Sequence, residues 1–175
     1  MNFSEIPARV GLVGLCLMLT ASAVSAAEAS RDEVRRLAAR ELVLVSVENP
    51  HGSLELIGED REEVVVEAHY RVRCRRASQA QSIAEDLSLE IGEEDGRLRV
   101  ALTMDGERLG REGHESLEGV SMRMDLHLRV PAHLALEAGV TDRQLVVRGL
   151  EGDTRLRATS GEVELKDLGG RVDLT

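Results

Sequence analysis

Aromatic residues are almost missing from this chain: one Phe (Phe3), one Tyr (Tyr70) and no Trp. Surfaces that hold sugars or single-stranded nucleic acid present aromatic faces for stacking, so an ordinary carbohydrate site of that kind is not expected. Cysteine is nearly as scarce, with only Cys16 and Cys74. If residues 1–26 are removed, Cys74 has no intrachain partner and disulfides contribute nothing to the fold. Cys74 is then either a small side chain on a strand or a site for intermolecular pairing. Basic charge is also in deficit: 22 Lys and Arg stand against 32 Asp and Glu, a formal net charge of −10. Such a surface repels phosphate backbones and anionic membranes, which excludes nucleic acid as a natural partner. No apolar run reaches the roughly twenty residues that span a bilayer.

The one long apolar run, Val10 to Val24, follows Arg9 and ends in small residues at Val24-Ser25-Ala26 or Ser25-Ala26-Ala27. That is the pattern of a secretory signal peptide over residues 1–26, with cleavage near Ala26 or Ala27. The alternative is a retained anchor. Cys16 follows Leu15, where a lipoprotein signal would need a small residue. The sequence therefore predicts an exported protein, periplasmic or extracellular, that meets the membrane only through this segment.

The rest of the chain is organised by its last forty residues. Apolar i, i+2 pairs recur at a step of nine: Leu136/Ala138, Leu145/Val147, Thr154/Leu156, Val163/Leu165 and Val172/Leu174. Each pair places two side chains on one face of a short strand. Turn residues separate them: Gly149, Gly152-Asp153, Ser160-Gly161, Asp167 and Gly169-Gly170. Alternate pairs give a clearer period of eighteen, in which Val147 to Gly152 returns as Leu165 to Gly170. A fixed internal period with glycine at repeating offsets marks a repeat architecture. The predicted fold is mainly β: a β-solenoid of about eighteen residues and two short strands per coil. Leu145 should stack on Val163, Val147 on Leu165, Leu150 on Leu168, Thr154 on Val172 and Leu156 on Leu174. Arg148, Arg155, Arg157, Glu162, Glu164, Lys166, Arg171 and Asp173 should point outward. The competing architecture is an antiparallel meander with evenly spaced hairpins.

Residues 27–41 form a lead-in that fits either a short helix or a loose strand, since Ser30 and Glu33 stand at capping-box spacing. A single domain follows over 42–175. Leu54 and Leu56 lie nine residues after Val45 and Val47, so the same rhythm starts here. An insertion at about 69–119 then interrupts it. Ser78 and Gln81 make a second capping box, and Ala80, Ile83, Ala84 and Leu87 share a helical face. One helix of about ten residues should run into a β-hairpin, with the acidic turn 92–96 between its strands. Residues 105–119 read as a mobile loop. From Val120 to Val130 apolar and polar residues alternate without fault, Pro131 ends the strand, and the nine-residue step resumes over 132–175.

The order of parts resembles bacterial putative-adhesin domains of unknown function, also called toast-rack β-solenoid domains. The matching stretches are Val47 to Leu56, Val64 to Ala68, the Ala84-Glu85 helix, Leu128 to Pro131 and Thr159 to Leu165. The likeness implies an exported cell-envelope β-solenoid, a stress-associated or surface module without a known reaction. Such domains run on for further coils, whereas this sequence stops at Thr175 in mid-pattern.

No catalytic, cofactor or metal site is expected. His51, His69, His114, His127 and His133 show no zinc-ligand spacing. Glu59-Asp60, Glu62-Glu63 and Glu93-Glu94-Asp95 match neither calcium pattern and read as solvated turns. Ser160-Gly161 falls where the period demands a turn. Glu162 and Glu164 stand among Arg155, Arg157 and Lys166, which predicts cross-strand charge pairing rather than a carboxylate pair for hydrolysis. The expected role is an adhesin-like surface or binding module, with an envelope or surface protein as partner. The alternative is a scaffold that self-associates through the edge strand at Val172–Leu174.

Overall fold

Residues eighteen apart become neighbours on adjacent strands, and the pairing is parallel. In a computed structural model that describes residues 26–104, 107–108, 119–141 and 143–175, Leu145 pairs with Val163 and Val147 with Leu165. Thr154 pairs with Val172 and Leu156 with Leu174. The parallel register excludes the meander for this part of the chain. The elements are β1 (Ala27–Ala38), β2 (Leu44–Asn49), β3 (Leu54–Glu59), β4 (Glu63–Cys74), α1 (Ala77–Asp86), β5 (Leu87–Glu94), β6 (Arg97–Met104) and β7 (Glu107–Arg108). They continue with β8 (Ser121–Pro131), β9 (Ala135–Val140), β10 (Leu145–Arg148), β11 (Thr154–Ala158), β12 (Val163–Lys166) and β13 (Val172–Leu174).

The chain is mainly β, in two mixed sheets that do not close. One runs β1-β4-β8-β3-β10-β12, the other β13-β11-β9-β2-β6-β5 with β7 on β6. Odd and even members of the nine-residue rhythm fall in different sheets. Hence β2 pairs with β9 and β3 with β10, rejoining the early pairs to the later ones across the insertion. An uninterrupted coil of two short strands is not what residues 42–175 build. The insertion supplies strands of its own, and β8 enters between β4 and β3, antiparallel to the first and parallel to the second. Strands joined by a hairpin must run antiparallel, as β5 and β6 do across Asp95-Gly96, so both sheets become mixed.

The inserted helix has its expected ten residues, but its caps differ. Arg76 is the N-cap and makes no side-chain cap bond, so Ser78 lies inside the first turn. Apolar packing of Ala80, Ile83 and Ala84 holds the helix instead. The lead-in is a strand: β1 pairs along its whole length with β4. The core lies between the sheets, where Leu54, Leu56, Leu126 and Leu128 from one meet Val45, Val47, Leu98, Val100 and Leu136 from the other, each at most 1% exposed. Burial fades along the stack: Leu145 and Leu156 are fully buried, Val163 and Leu165 half-buried, Val172 and Leu174 41% and 50% exposed.

The turn between β2 and β3 is locked by close approach. A Cβ on Gly52 would stand 1.6 Å from the Met124 carbonyl oxygen, so only glycine fits. Buried Asn49 donates from Nδ2 to the carbonyls of Ser53 and Met124, 2.9 Å each.

Candidate functional site

In the seven-stranded sheet the alternation of strands sends Val47, Ala138 and Leu156 inward and Glu48, Gly139 and Arg157 outward. Glu48 and Arg157 are each in register with Gly139, one on either side. Adjacent strands stand about 4.8 Å apart, so these two charges are separated by roughly 9.6 Å along the row. Neither makes an ion pair with any described residue. On its other flank Glu48 faces Ala101, which offers no cation. A Cβ on Gly139 would meet nothing within 4 Å. The missing side chain leaves the floor of a groove of about 480 Å³. One wall is the preceding row, where Glu137 is held by Arg155 at 2.9 Å and Arg97 at 3.6 Å. The opposite wall is the line of turns at Pro50, Thr141 and Thr159. The arrangement can hold a small polar ligand between a guanidinium and a carboxylate. Arg157 was legible as an outward residue; Glu48 and Gly139 were not singled out. The available signal was a glycine inside a strand pattern, which marks a bend or a deliberate gap.

The outer face of the six-stranded sheet carries paired charges instead. His69 pairs with Asp32, with Arg71 Nη2 3.4 Å from its other ring nitrogen. His127 lies 3.0 Å from Glu55, which also pairs with Arg148, and Arg129 bonds Glu67 at 3.0 Å. Asp125 is half-buried. Burial alone would raise its carboxyl, but hydrogen bonds from Ser53 and the Arg123 guanidinium outweigh that and hold it below the usual carboxylate range.

The structure scatters the remaining residues that sequence reasoning considered. His51 sits half-buried in the β2–β3 turn, His133 is exposed in the turn before β9, and His114 lies outside the described residues. Among the described residues no three His, Cys, Asp or Glu side chains are arranged to hold a metal ion. Arg61 bridges Glu59 and Glu63 at 3.1 Å each, while Glu93 and Glu94 end strand β5 and the turn expected at 92–96 is only Asp95-Gly96. The Ser160 hydroxyl donates to the Thr141 carbonyl at 2.9 Å. Gly161 follows at φ 116°, where a Cβ would strike the Arg143 carbonyl. The pair is a turn, as its place in the period requires. Charge pairing crosses strands at Arg155–Glu137 and Arg148–Glu55, but Glu164 pairs along its own strand with Lys166, 2.5 Å away. Lys166 holds that carboxyl below its ordinary range. Cys74 is buried and reduced, its thiol 3.0 Å from the Arg76 carbonyl. No helix among the described residues is long and apolar enough to cross a membrane, and residues 1–25 lie outside them.

No protein-family model matches the chain, and no curated protein matches it significantly. Among solved structures it is similar to a putative cell adhesion protein from Clostridium sporogenes at 9% identity and a TM-score of 0.45. That match covers 79% of this chain and 62% of the other. It is also similar to putative adhesins from Parabacteroides distasonis (8% identity, TM-score 0.32, 83% of this chain and 65% of that one) and Parabacteroides merdae (6%, 0.32, 83% and 96%). The chain thus spans under two thirds of the length of the first two structures.

Proposed function

We propose that this chain is an exported, non-catalytic module of the cell envelope that acts, in the manner of an adhesin, by presenting the outer face of a sheet to a partner. The observation that carries this reading is the groove over Gly139, flanked by two opposite charges that make no ion pair with any described residue. The export pattern at residues 1–26 supports it. We read strands β9 to β13 as a short β-solenoid, because successive strands alternate between the sheets at an offset of eighteen residues. Two measurements test the reading. Expression of the full chain should yield a protein lacking residues 1–26 outside the cytoplasm; an uncleaved cytoplasmic product contradicts export. Purified protein should bind intact cells or isolated envelope saturably, and Gly139→Leu should lose that binding. Equal binding by the variant, or none by either protein, contradicts the presented surface.

A second reading has its own observation. The exposure of Val172 and Leu174 on an edge strand favours a scaffold whose occupant at that edge is a second copy of this chain. Light scattering across a dilution series should then show assembly that Val172→Lys prevents; a monomer at all concentrations overturns it.

A further inference from the structure

We infer that the groove over Gly139 is a binding site for a small zwitterion, a ligand with an ammonium and a carboxylate about two residues apart, such as a dipeptide with free ends. This rests on the reading of that face as the presented surface and names what it takes.

The chemistry follows from the two charges. A guanidinium presents paired N–H donors that match a carboxylate in two parallel hydrogen bonds. Arg157 is exposed, has no partner among the described residues, and stands beside Gly139. Glu48, equally exposed and unpartnered on the other side, is an acceptor for an ammonium group. In the preceding row of this face Glu137 is already satisfied by Arg155 and Arg97. An anion alone would meet Arg157 but face Glu48; a cation would meet the reverse. A ligand carrying both charges satisfies both prongs at once.

Size agrees with charge. The prongs lie two strand spacings apart, roughly 9.6 Å, and a fully extended dipeptide spans roughly 7 Å. Two flexible side chains close the remaining gap. The groove, about 480 Å³, falls within the range of small-ligand sites. Glycine at position 139 leaves the floor open where any larger side chain would stand in the ligand's place. Both prongs are solvent-exposed, so affinity is weak, in the millimolar range, and selectivity comes from matching charge at each end.

The test is a titration of the isotope-labelled full-length mature protein with Ala-Ala, following backbone amide shifts by NMR. Saturable shifts should concentrate at Glu48, Ala138, Gly139 and Arg157. N-acetyl-Ala-Ala and Ala-Ala-amide should each bind roughly three- to tenfold more weakly, having lost one charged contact. Gly139→Leu should abolish binding with an unchanged melting temperature, since its Cβ meets no atom. Should that variant unfold, the exposed prongs decide: Arg157→Glu and Glu48→Arg should each abolish binding, and the double variant should restore it with the ligand reversed. Absence of saturable shifts, shifts spread evenly over exposed charges, or failure of the double variant to regain binding would overturn the inference. If Ala-Ala fails while envelope binding is still lost in Gly139→Leu, the ligand class falls and the presented surface stands. If Gly139→Leu affects neither, both fall.

Discussion

The two ends of the strand stack solve the same problem in different ways. At one end the sheets finish in β1 and β5, and the outer backbone edge of β5 is covered by side chains of β1. Arg31 donates to the Leu87 carbonyl, and the Glu33 carboxylate accepts from the Leu89 amide at 3.4 Å. The Tyr70 hydroxyl, fully buried, donates to the same carboxylate at 2.9 Å, and the Arg31 guanidinium lies 4.8 Å over the Tyr70 ring. Burial first, then the neighbouring Glu33 charge, pushes the Tyr70 phenol well above its ordinary range. Helix α1 packs Ala80, Ile83 and Ala84 against this end. At the other end, among the described residues, β12 and β13 have no further strand on their outer edges, and Val172 and Leu174 are 41% and 50% exposed. An edge strand offers a row of free N–H and C=O groups that invites another strand. One end answers that with charged side chains pointing inward; the other, in these residues, does not.

The comparison can be broken by mutation. Tyr70→Ala removes the largest buried side chain at the covered end and should cost about 3–5 kcal/mol. The matching truncation at the other end, Leu174→Ala, should change stability by less than about 0.5 kcal/mol. Urea unfolding of both variants checks this, and similar losses would mean the ends are equally packed. Glu33→Ala leaves the Tyr70 hydroxyl and Leu89 amide without their acceptor and should cost about 1–3 kcal/mol. Asp173→Ala, on β13, should be near neutral by the same assay.

A pH series sharpens the contrast with the middle of the stack. The folded-state pKa of Asp125 is depressed, so its contribution is present above the unfolded value of about 3.9 and is lost as pH falls through the folded value. Asp125→Asn should flatten stability against pH below about 4. Glu164 is depressed too, but lies at the surface on β12 in a single ion pair, and Glu164→Gln should leave the same profile unchanged.

The register of the later strands was legible because one inward face repeats every eighteen residues, and a parallel ladder turns that period directly into neighbours. The covered end was not legible. The inward row of β1 includes Ala27, Ala29, Arg31, Glu33 and Leu37, and Arg31 and Glu33 are charged because they satisfy the edge of β5 instead of filling core. Their partners lie far away in sequence, so no local pattern announces them, and the Ser30–Glu33 spacing points to a helix instead. The entry of β8 between β4 and β3 was equally hidden, since its faultless alternation gives its faces but not its neighbours. In the groove, Arg157 could be read as outward from the period, while Gly139 matters through a side chain it does not have.

Native-state hydrogen exchange resolved by residue tests the difference between the ends most directly. The Leu89 amide, on an edge strand but held by Glu33, should exchange only through large-scale opening, and Glu33→Ala should release it. The amides of Val172 to Leu174 should exchange by local fraying, orders of magnitude faster than global unfolding. Equal protection at Leu89 and Val172, or a Leu89 amide indifferent to Glu33→Ala, would contradict an edge closed by its own side chains.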